Sequence, residues 1–321
     1  MKIAPLKIVF MGTPEFAVAI LDILFHSEHQ IVGVVTATDK PAGRGQQLKT
    51  SAIKDYALSQ KLNLLQPESL KNEQFIKKLN NLQADLFVVV AFRMLPEIVW
   101  RIPKKGTINL HASLLPQYRG AAPINWAIIN GETKTGVTTF FIDKEIDTGR
   151  IIDQVETEIL TNTNVGELYQ TLMKLGSELT LKTVNAIASN DIQPKNQGDL
   201  ITEDLKHAPK IFKNDCEIKW GKTAEKNHNL IRGLSPFPGA WTMLFNIKKQ
   251  VWMQFKIFDS KKSGVKVKNS KNLQLHESGI LFPCSDEYLI VSDLQPEGKR
   301  RMHHKEFLAG YNLEDWHLKM P

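Results

Sequence analysis

The chain has 321 residues, about twice the length typical of one domain, so two domains or one large domain are expected. Its 42% hydrophobic and 23% charged residues are typical of a globular protein and exclude a disordered chain or a small disulfide scaffold. The net charge of +7 comes from the C-terminal part, because residues 1–205 hold 21 basic and 22 acidic residues, whereas residues 206–321 hold 20 and 12.

This charge split favours a polyanion as partner of the C-terminal part, although a solvated lysine-rich surface would have the same composition. The longest strongly apolar run, 86–92, is far below the ~20 residues that span a bilayer, and the N-terminus lacks a signal-peptide pattern. We therefore expect a cytoplasmic protein without membrane contact. Cys216 and Cys284 belong to no CxxC or Cys/His cluster, which indicates buried thiols and no metal site.

The N-terminal elements alternate between strand and helix. An apolar run at 6–11 predicts a strand that ends at Gly12, and Thr13 and Pro14 are suited to cap and begin the helix that follows. Further predicted elements are a strand at 31–35, a helix at 51–60, a short strand at 62–65, a helix at 72–82 and a strand at 86–92.

Continuous rather than alternating apolarity indicates strands that are covered on both faces. The predicted architecture is therefore an α/β fold with a Rossmann-like, doubly wound, mainly parallel sheet, whose ligands bind at the carboxyl ends of the strands. The first turn holds only Gly12, without the further glycines of GxGxxG, which disfavours a nicotinamide dinucleotide as ligand.

A domain boundary is predicted after the long apolar-periodic helix that follows Gly166. The segment beyond this helix is rich in polar residues, Pro and Gly, and short β-rich runs with turn residues follow it. We therefore predict a catalytic domain at 1–189, a linker at 190–206 and a small, basic, OB-like β-barrel domain at 207–321.

Asn109 and His111 form the first candidate site. They lie two residues apart in a predicted strand at 107–111, so both side chains point to the same face. An amide that can polarise a carbonyl and an imidazole that titrates near neutral pH are suited to acyl transfer. A hydrogen-bonded edge strand is the structural alternative for this short pattern.

An acidic loop follows the next strand-like run at 138–142. A carboxylate of this loop, placed beside His111, would orient the imidazole and stabilise its protonated form. Spacing alone does not choose among Asp143, Glu145 and Asp147, which could equally be solvated turn residues. The pattern indicates no Ser or Cys nucleophile.

Several short segments together resemble one known family. They are Asn109-Leu110-His111, Ser113-Leu114-Leu115-Pro116, Tyr118-Arg119-Gly120, Ala122-Pro123 and Asp147-Thr148-Gly149. This combination closely resembles the folate-dependent formyltransferase family. The resemblance implies that Asn109, His111 and Asp147 are catalytic and that 10-formyltetrahydrofolate is the cosubstrate. It also implies that the tetrahydrofolate contacts Ser113, Leu114, Leu115 and Pro116.

Other segments resemble the branch of this family that formylates methionyl initiator tRNA. They are the basic loop at 39–45, the segments at 207–211 and 231–232, the segment at 236–240 and the run at 294–302. The resemblance implies initiator methionyl-tRNA as partner, and a formyltransferase acting on sugar nucleotides is the alternative. Where this branch commonly has Tyr-Gly, the chain has Phe92-Arg93, so contacts of the pterin pocket are not carried over to that position.

The candidate tRNA-binding residues come from the basic loop and from the basic C-terminal domain. They are Lys40, Arg44, Lys248, Lys249, Lys261 and Lys262. Lysines on the outside of a small barrel would follow a phosphate backbone, while the interleaved aromatic residues are expected mainly in the barrel core. A monomer is the expected oligomeric state.

Overall fold

The computed structural model describes residues 4–42, 47–201, 204–267 and 272–318, with 40–42 and 47–48 described by their backbone alone. The helices are α1 Glu15–Phe25, α2 Ala52–Ser59, α3 Glu73–Asn81, α4 Glu97–Trp100, α5 Pro123–Ile129, α6 Val165–Ala188, α7 Ala224–Leu234 and α8 His304–Gly310.

The strands in the first half of the chain are β1 Lys7–Gly12, β2 Gln30–Val35, β3 Lys40–Ala42, β4 Gln47–Lys49, β5 Leu64–Leu65, β6 Leu86–Val90, β7 Thr107–His111, β8 Arg119–Gly120, β9 Lys134–Phe141 and β10 Ile151–Glu158. Those in the second half are β11 His207–Ala208, β12 Ala240–Asn246, β13 Val251–Lys266, β14 Gln274–His276, β15 Gly279–Pro283, β16 Glu287–Pro296, β17 Met302–His303 and β18 Trp316–Leu318.

The chain divides into two compact units, and each unit gathers pieces that are not contiguous in sequence. The first unit contains 1–120, 135–157 and 169–207, and the second contains 121–134, 158–168 and 208–321. The segment predicted as a linker therefore lies within the first unit. The predicted domain boundaries at 189 and 207 stay predictions.

The first unit is built on a seven-stranded sheet of order β10-β9-β7-β6-β1-β2-β5. β1 pairs in parallel with β2 and β6, β2 with β5, and β6 with β7, whereas β9 runs antiparallel to β7. Every residue of β6 is buried, as the continuous apolarity of this segment predicts for a strand covered on both faces. The predicted Rossmann-like, mainly parallel sheet is confirmed.

The first strand–helix unit shows why the chain reverses tightly at Gly12. A Cβ at this position would lie 2.7 Å from the Ala17 Cβ and 3.1 Å from the Val90 carbonyl oxygen, so glycine lets α1 approach the sheet. The cap prediction for Thr13 is wrong. Pro14 occupies the N-cap position with extended backbone, and no side-chain cap hydrogen bond forms.

The second unit is built on an antiparallel sheet of order β14-β15-β16-β13-β12-β18, with β17 added beside β16. The predicted barrel is confirmed in the form of a curled half-barrel, whose edges meet at one antiparallel bridge between Asn272 and His317. Phe255 fills its core with Phe307 and Trp316, in edge-to-face contacts with ring centroids 5.9 and 5.0 Å apart.

The cysteines behave as the sequence predicts. Cys216 and Cys284 are both buried and free. Burial raises the pKa of the Cys284 thiol to about 11 and also raises the pKa of Cys216. Both thiols are therefore neutral near pH 7 and contribute to the core as small apolar groups.

Candidate functional site

The central strand β7 positions the first two candidate residues. Asn109 lies opposite Val89 of β6 and Phe140 of β9, and His111 lies opposite Thr138 of β9. The two side chains lie on the same face because they are two residues apart in a strand. The strand lies inside the sheet, so the alternative of an edge strand does not apply.

Asn109 carries an unusual buried polar atom. Its side-chain oxygen Oδ1 is inaccessible to solvent and has no hydrogen-bond partner among the described residues. An unsatisfied buried acceptor typically costs about 1–3 kcal/mol, so such atoms are rare in folded proteins unless a ligand completes them. Oδ1 of Asn109 thus has an acceptor capacity that the described chain does not use.

His111 has an oxygen atom near each ring nitrogen. Its Nε2 lies 2.8 Å from the main-chain oxygen of Tyr118, and since a carbonyl only accepts, Nε2 carries the proton in this contact. Its Nδ1 lies 3.8 Å from Oδ2 of Asp147, which is an ion-pair distance but too long for a direct hydrogen bond. The side chains of His111 and Asp147 are only 8% and 12% exposed, so this contact is largely shielded from water.

The structure therefore brings one carboxylate of the acidic loop to His111. Oδ2 of Asp147 also accepts a hydrogen bond of 3.0 Å from the main-chain N–H of Gly120. Asp147 has a φ of +56° and Tyr118 a φ of +61°, both in the left-handed region that non-glycine residues rarely adopt. Such residues concentrate at functional sites, where the surrounding structure imposes the conformation.

A buried glutamine that the sequence did not point out holds the Asp147 loop. Gln197 is 3% exposed, and its amide contacts Asp147, Gly149 and Arg119. Gln197 lies in the segment predicted as a linker, where no pattern distinguishes it from a solvated polar residue. The main-chain contacts of Tyr118 with His111 and of Gly120 with Asp147 could not be predicted from the sequence either. A pattern of side chains does not show which backbone groups face a site.

The predicted folate segment is fixed by internal hydrogen bonds. The hydroxyl of Thr138 donates to the Ser113 carbonyl at 2.6 Å and accepts from the Leu115 N–H at 3.1 Å. Ser113 is fully buried and donates its own hydroxyl to the Gln117 carbonyl at 2.7 Å. Leu115 and Pro116 are also buried, and Leu114 is partly exposed. The segment forms a rigid loop directly after β7, and its folate contacts stay a prediction.

An open cleft of about 640 Å³ lies on the first unit. It is lined by residues 68–71, 93–98, Trp100 and Lys144. The guanidinium of Arg93 borders it and donates to the carbonyls of Pro67 and Glu68, 2.9 Å from the latter, and its partial removal from water lowers the pKa of Arg93. The residue that departs from the family pattern thus ties two neighbouring loops together.

The candidate tRNA-binding residues lie in different parts of the structure. Lys248, Lys249, Lys261 and Lys262 are exposed on the second unit, and Lys248 pairs with Asp315 at 3.0 Å. Lys40 begins the two-stranded hairpin β3–β4 of the first unit, and only its backbone is described. Arg44 lies outside the described residues. The phosphate contacts of all of them stay predictions.

The aromatic residues among these lysines are divided between core and surface. Phe255 and Phe258 are buried, as predicted for barrel core. Trp252 is 49% exposed, and its ring packs against Phe245 with the ring centroids 5.0 Å apart.

The described residues contain no group of three or more His, Cys, Asp or Glu side chains placed to hold a metal ion. Nor is any helix within those ranges long and apolar enough to cross a bilayer.

Comparison with known families decides the identity of this fold. Residues 6–184 match the family described as "Formyl transferase", and residues 210–312 match the family described as "Formyl transferase, C-terminal domain". The chain belongs to the formyl transferase family. The resemblance noted in the sequence is thereby confirmed, and the Asn109, His111 and Asp147 cluster lies within the segment that the first description matches.

Several relatives match this family member along almost its whole length. A methionyl-tRNA formyltransferase of Bacteroides thetaiotaomicron is 48% identical over 98% of this chain and 98% of its own. A methionyl-tRNA formyltransferase of Flavobacterium psychrophilum is 48% identical over 97% of this chain and 98% of its own.

Solved structures of the family share the fold at lower identity. The crystal structure of WlaRD, a sugar 3N-formyl transferase, in the presence of dTDP and 5-N-formyl-THF, matches with a TM-score of 0.64 and 22% identity. It covers 92% of this chain and 100% of that chain. The folate-dependent formyltransferase fold therefore extends over both units.

Proposed function

We propose that this formyl transferase moves the formyl group of 10-formyltetrahydrofolate to the α-amino group of methionyl initiator tRNA, giving N-formylmethionyl-tRNA for translation initiation. The observation that carries the proposal is the match to methionyl-tRNA formyltransferases at 48% identity over 97–98% of the chain, including both units. The predicted alternative, a sugar-nucleotide formyltransferase, is supported only by structures near 22% identity, which share the fold.

The partly exposed amide of Asn109 fits the reacting groups. Oδ1 is a buried acceptor without a partner in the described chain, so it can accept an N–H of the attacking amine. The Nδ2 group of the same amide donates to the formyl oxygen, where negative charge develops during attack. The folate donor supplies an activated formyl carbon when it is bound.

His111 and Asp147 transfer the protons of the proposed reaction. Because Nε2 of His111 keeps its proton in the hydrogen bond to the Tyr118 carbonyl, Nδ1 of the neutral ring is a proton acceptor. It takes up a proton during the reaction and, once protonated, donates toward the developing charge or to Asp147, whose Oδ2 lies 3.8 Å away. The amine loses one proton as its bond to the formyl carbon forms, and the donor nitrogen gains one as its bond to that carbon breaks. Asp147 and His111 carry this proton, and no covalent enzyme intermediate is needed.

The remaining predicted contacts complete the proposal. The rigid loop of Ser113, Leu114, Leu115 and Pro116 borders the folate donor beside β7. Lys40, Arg44, Lys248, Lys249, Lys261 and Lys262 contact the phosphate backbone of the tRNA. Since aminoacyl-tRNA is made and used in the cytoplasm, the protein acts there, and it acts as a monomer without a metal ion.

A formyl-transfer assay tests the proposal. The purified chain is incubated with 10-formyltetrahydrofolate and one of three acceptors: methionyl initiator tRNA, methionyl elongator tRNA or an amino-sugar nucleotide. Transfer selective for the initiator tRNA is expected, and His111→Ala should lower kcat by about 10²- to 10⁴-fold because it removes the proton carrier. Transfer to the amino sugar alone would disprove the assigned acceptor and keep the folate chemistry.

A further inference from the structure

The amide of Gln197 joins the two loops that hold Asp147. Its Nε2 donates to the carbonyl of Asp147 and to that of Gly149, each at 2.8 Å. Its Oε1 accepts from Nε and Nη2 of Arg119, at 3.0 and 2.6 Å. All four hydrogen-bonding positions of the amide are therefore used inside the protein.

The orientation of this amide is fixed by its partners. Arg119 only donates, so it must face the side-chain oxygen, and the two carbonyls only accept, so they must face the nitrogen. The amide is 3% exposed, and water does not replace these bonds. Loss of either N–H would leave a carbonyl of the Asp147 loop without its donor.

Backbone pairing brings Gln197 to this place. Lys195 and Ile151, the first residue of β10, exchange hydrogen bonds of 2.8 and 2.9 Å between their main chains. Two residues beyond this bridge, Gln197 begins a short 3₁₀ turn with its side chain inside the unit. A segment predicted as a linker is thus anchored to the sheet beside the catalytic carboxylate.

The hydrogen bonds of Gln197 to Arg119 and to the Asp147 loop, called the clamp below, both affect the position of Asp147. On one side Gln197 fixes the main chain of Asp147 in its left-handed conformation. On the other side it holds Arg119, and the next residue, Gly120, donates its N–H to the Asp147 carboxylate. The position of Oδ2 relative to His111 therefore depends on one buried amide.

We propose that Gln197 is a positioning residue, which sets the Asp147 carboxylate for proton transfer with His111. This role rests on the proposed function. It predicts a loss in kcat rather than in substrate affinity, because Gln197 is buried and all four hydrogen-bonding positions of its amide are used inside the protein.

Gln197→Glu is the sharpest variant, since it keeps an oxygen for Arg119 but presents a second oxygen to the two carbonyls. We expect kcat to fall by about 10- to 100-fold, the usual cost of a displaced catalytic group, with KM unchanged for both substrates. In an Asp147→Asn background the same change should alter kcat by less than about twofold, because the two residues act as one unit.

Hydrogen exchange gives a readout that does not depend on activity. In the free full-length chain, Gln197→Glu should speed amide exchange in residues 143–150 by about tenfold, since local opening there loses two buried hydrogen bonds. Asn185→Ala is the matched control, because it removes another side-chain amide bond of the same unit, to His29. It should leave exchange in 143–150 and kcat unchanged.

Wild-type kcat in Gln197→Glu, or an equal loss in the Asp147→Asn background, would overturn the inference. If Gln197→Glu does not fold, Gln197→Ala, which leaves space for water beside the carbonyls, undergoes the same comparison. If the wild-type chain formylates no acceptor, the proposed function fails, while the exchange measurement still tests the clamp.

Discussion

The environment of His111 limits which of its ring atoms can exchange a proton in the proposed mechanism. One ring nitrogen is committed to the carbonyl of Tyr118, so only Nδ1 can take part in proton transfer. The low exposure of His111 and Asp147 strengthens their electrostatic interaction relative to that of a surface pair. A buried imidazole between two oxygens is thus prepared to hold a proton in a defined place.

Asn109→Ala is predicted to remove one donor to the developing oxyanion. The turnover number should fall by about 10²- to 10³-fold, as is usual for the loss of one such donor. The change also removes the buried, unsatisfied Oδ1, so the free energy of unfolding should fall little although the turnover number falls strongly. Steady-state kinetics and chemical denaturation of the same preparation measure the two effects.

The control for this variant is Asn63→Ala, which removes an exposed side-chain amide that donates to the Val32 carbonyl in the same unit. It should leave kcat within about twofold of wild type, as surface changes usually do. A comparable kcat loss in both variants would contradict the role of Asn109.

Residues of the site differ in how far the sequence could predict them. Asn109 and His111 stand out because polar side chains in an otherwise apolar strand need a reason. Asp147 could be chosen from its two acidic neighbours only by resemblance, since loop spacing does not determine which carboxylate turns inward. Gln197 left no sequence pattern at all, because its position depends on a segment folding back onto the sheet.

At the level of elements, the loop between β9 and β10 is constrained by Gly149. A Cβ at this position would lie 1.7 Å from the carbonyl oxygen of Phe141, a backbone atom that cannot move aside. Gly149→Ala should therefore lower the free energy of unfolding by about 1–3 kcal/mol, the usual cost of overpacking. It should also displace Asp147, two residues away.

Gly198→Ala is the matched control, since a Cβ there meets no atom within 4 Å. Thermal and urea unfolding measure the free energy of unfolding of both variants. Gly149→Ala should lower it, and Gly198→Ala should leave it close to the wild-type value. Equal stability of the two variants would show that the Phe141 carbonyl can relax.

Helix α7 carries a buried histidine of the second unit. Nε2 of His228 lies 3.1 Å from the Thr161 carbonyl and Nδ1 lies 3.1 Å from the Ser260 hydroxyl. Burial lowers the pKa of His228 below its ordinary value of 6.5, and the positive charges of Arg232 and Lys262 lower it further, against the opposing charge of Asp259. The folded state therefore favours the neutral form of the His228 imidazole.

This pKa shift predicts a pH-dependent stability. Between the folded and the unfolded pKa the unfolded chain binds more protons, so the free energy of unfolding falls as the pH drops below 6.5 and is unaffected above it. His228→Gln should make this fall less steep, whereas His26→Gln, at an exposed position directly after α1, should not. Urea titrations at a series of pH values measure both slopes, and parallel curves for all three proteins would refute the assignment.

Element boundaries could be predicted where packing decides them and not where caps do. The buried face of α1 follows from its apolar spacing, and it is formed by Phe16, Ala17, Ile20, Leu21 and Leu24. The start of the same helix was misassigned because Thr13 is a good cap by type, yet Pro14 occupies the cap position. Local propensity alone does not determine such competition between neighbouring residues.

Over the whole molecule, the charge is distributed as the proposed division between chemistry and tRNA binding predicts. Residues 1–205 carry 21 basic and 22 acidic residues, whereas residues 206–321 carry 20 and 12. Catalysis inside a buried cluster needs few exposed charges, but long-range attraction of a polyanion needs many of one sign. The charge split could be predicted from composition, while the fate of each lysine required coordinates, since Lys248 pairs with Asp315 and Lys256 donates to the Pro238 carbonyl.

Lys261 and Lys262 provide the test of this electrostatic role. Both are exposed on β13, and if each neutralises one phosphate, the double variant Lys261→Ala/Lys262→Ala should reduce the slope of log K against log salt by about 0.7–0.9 per lysine. Binding to methionyl initiator tRNA is measured at several salt concentrations, and kcat at saturating tRNA should be unchanged. Lys219→Ala, whose side chain already pairs with Glu217 in the same unit, should keep the wild-type slope. An unchanged slope in the double variant would show that Lys261 and Lys262 do not contact the tRNA backbone.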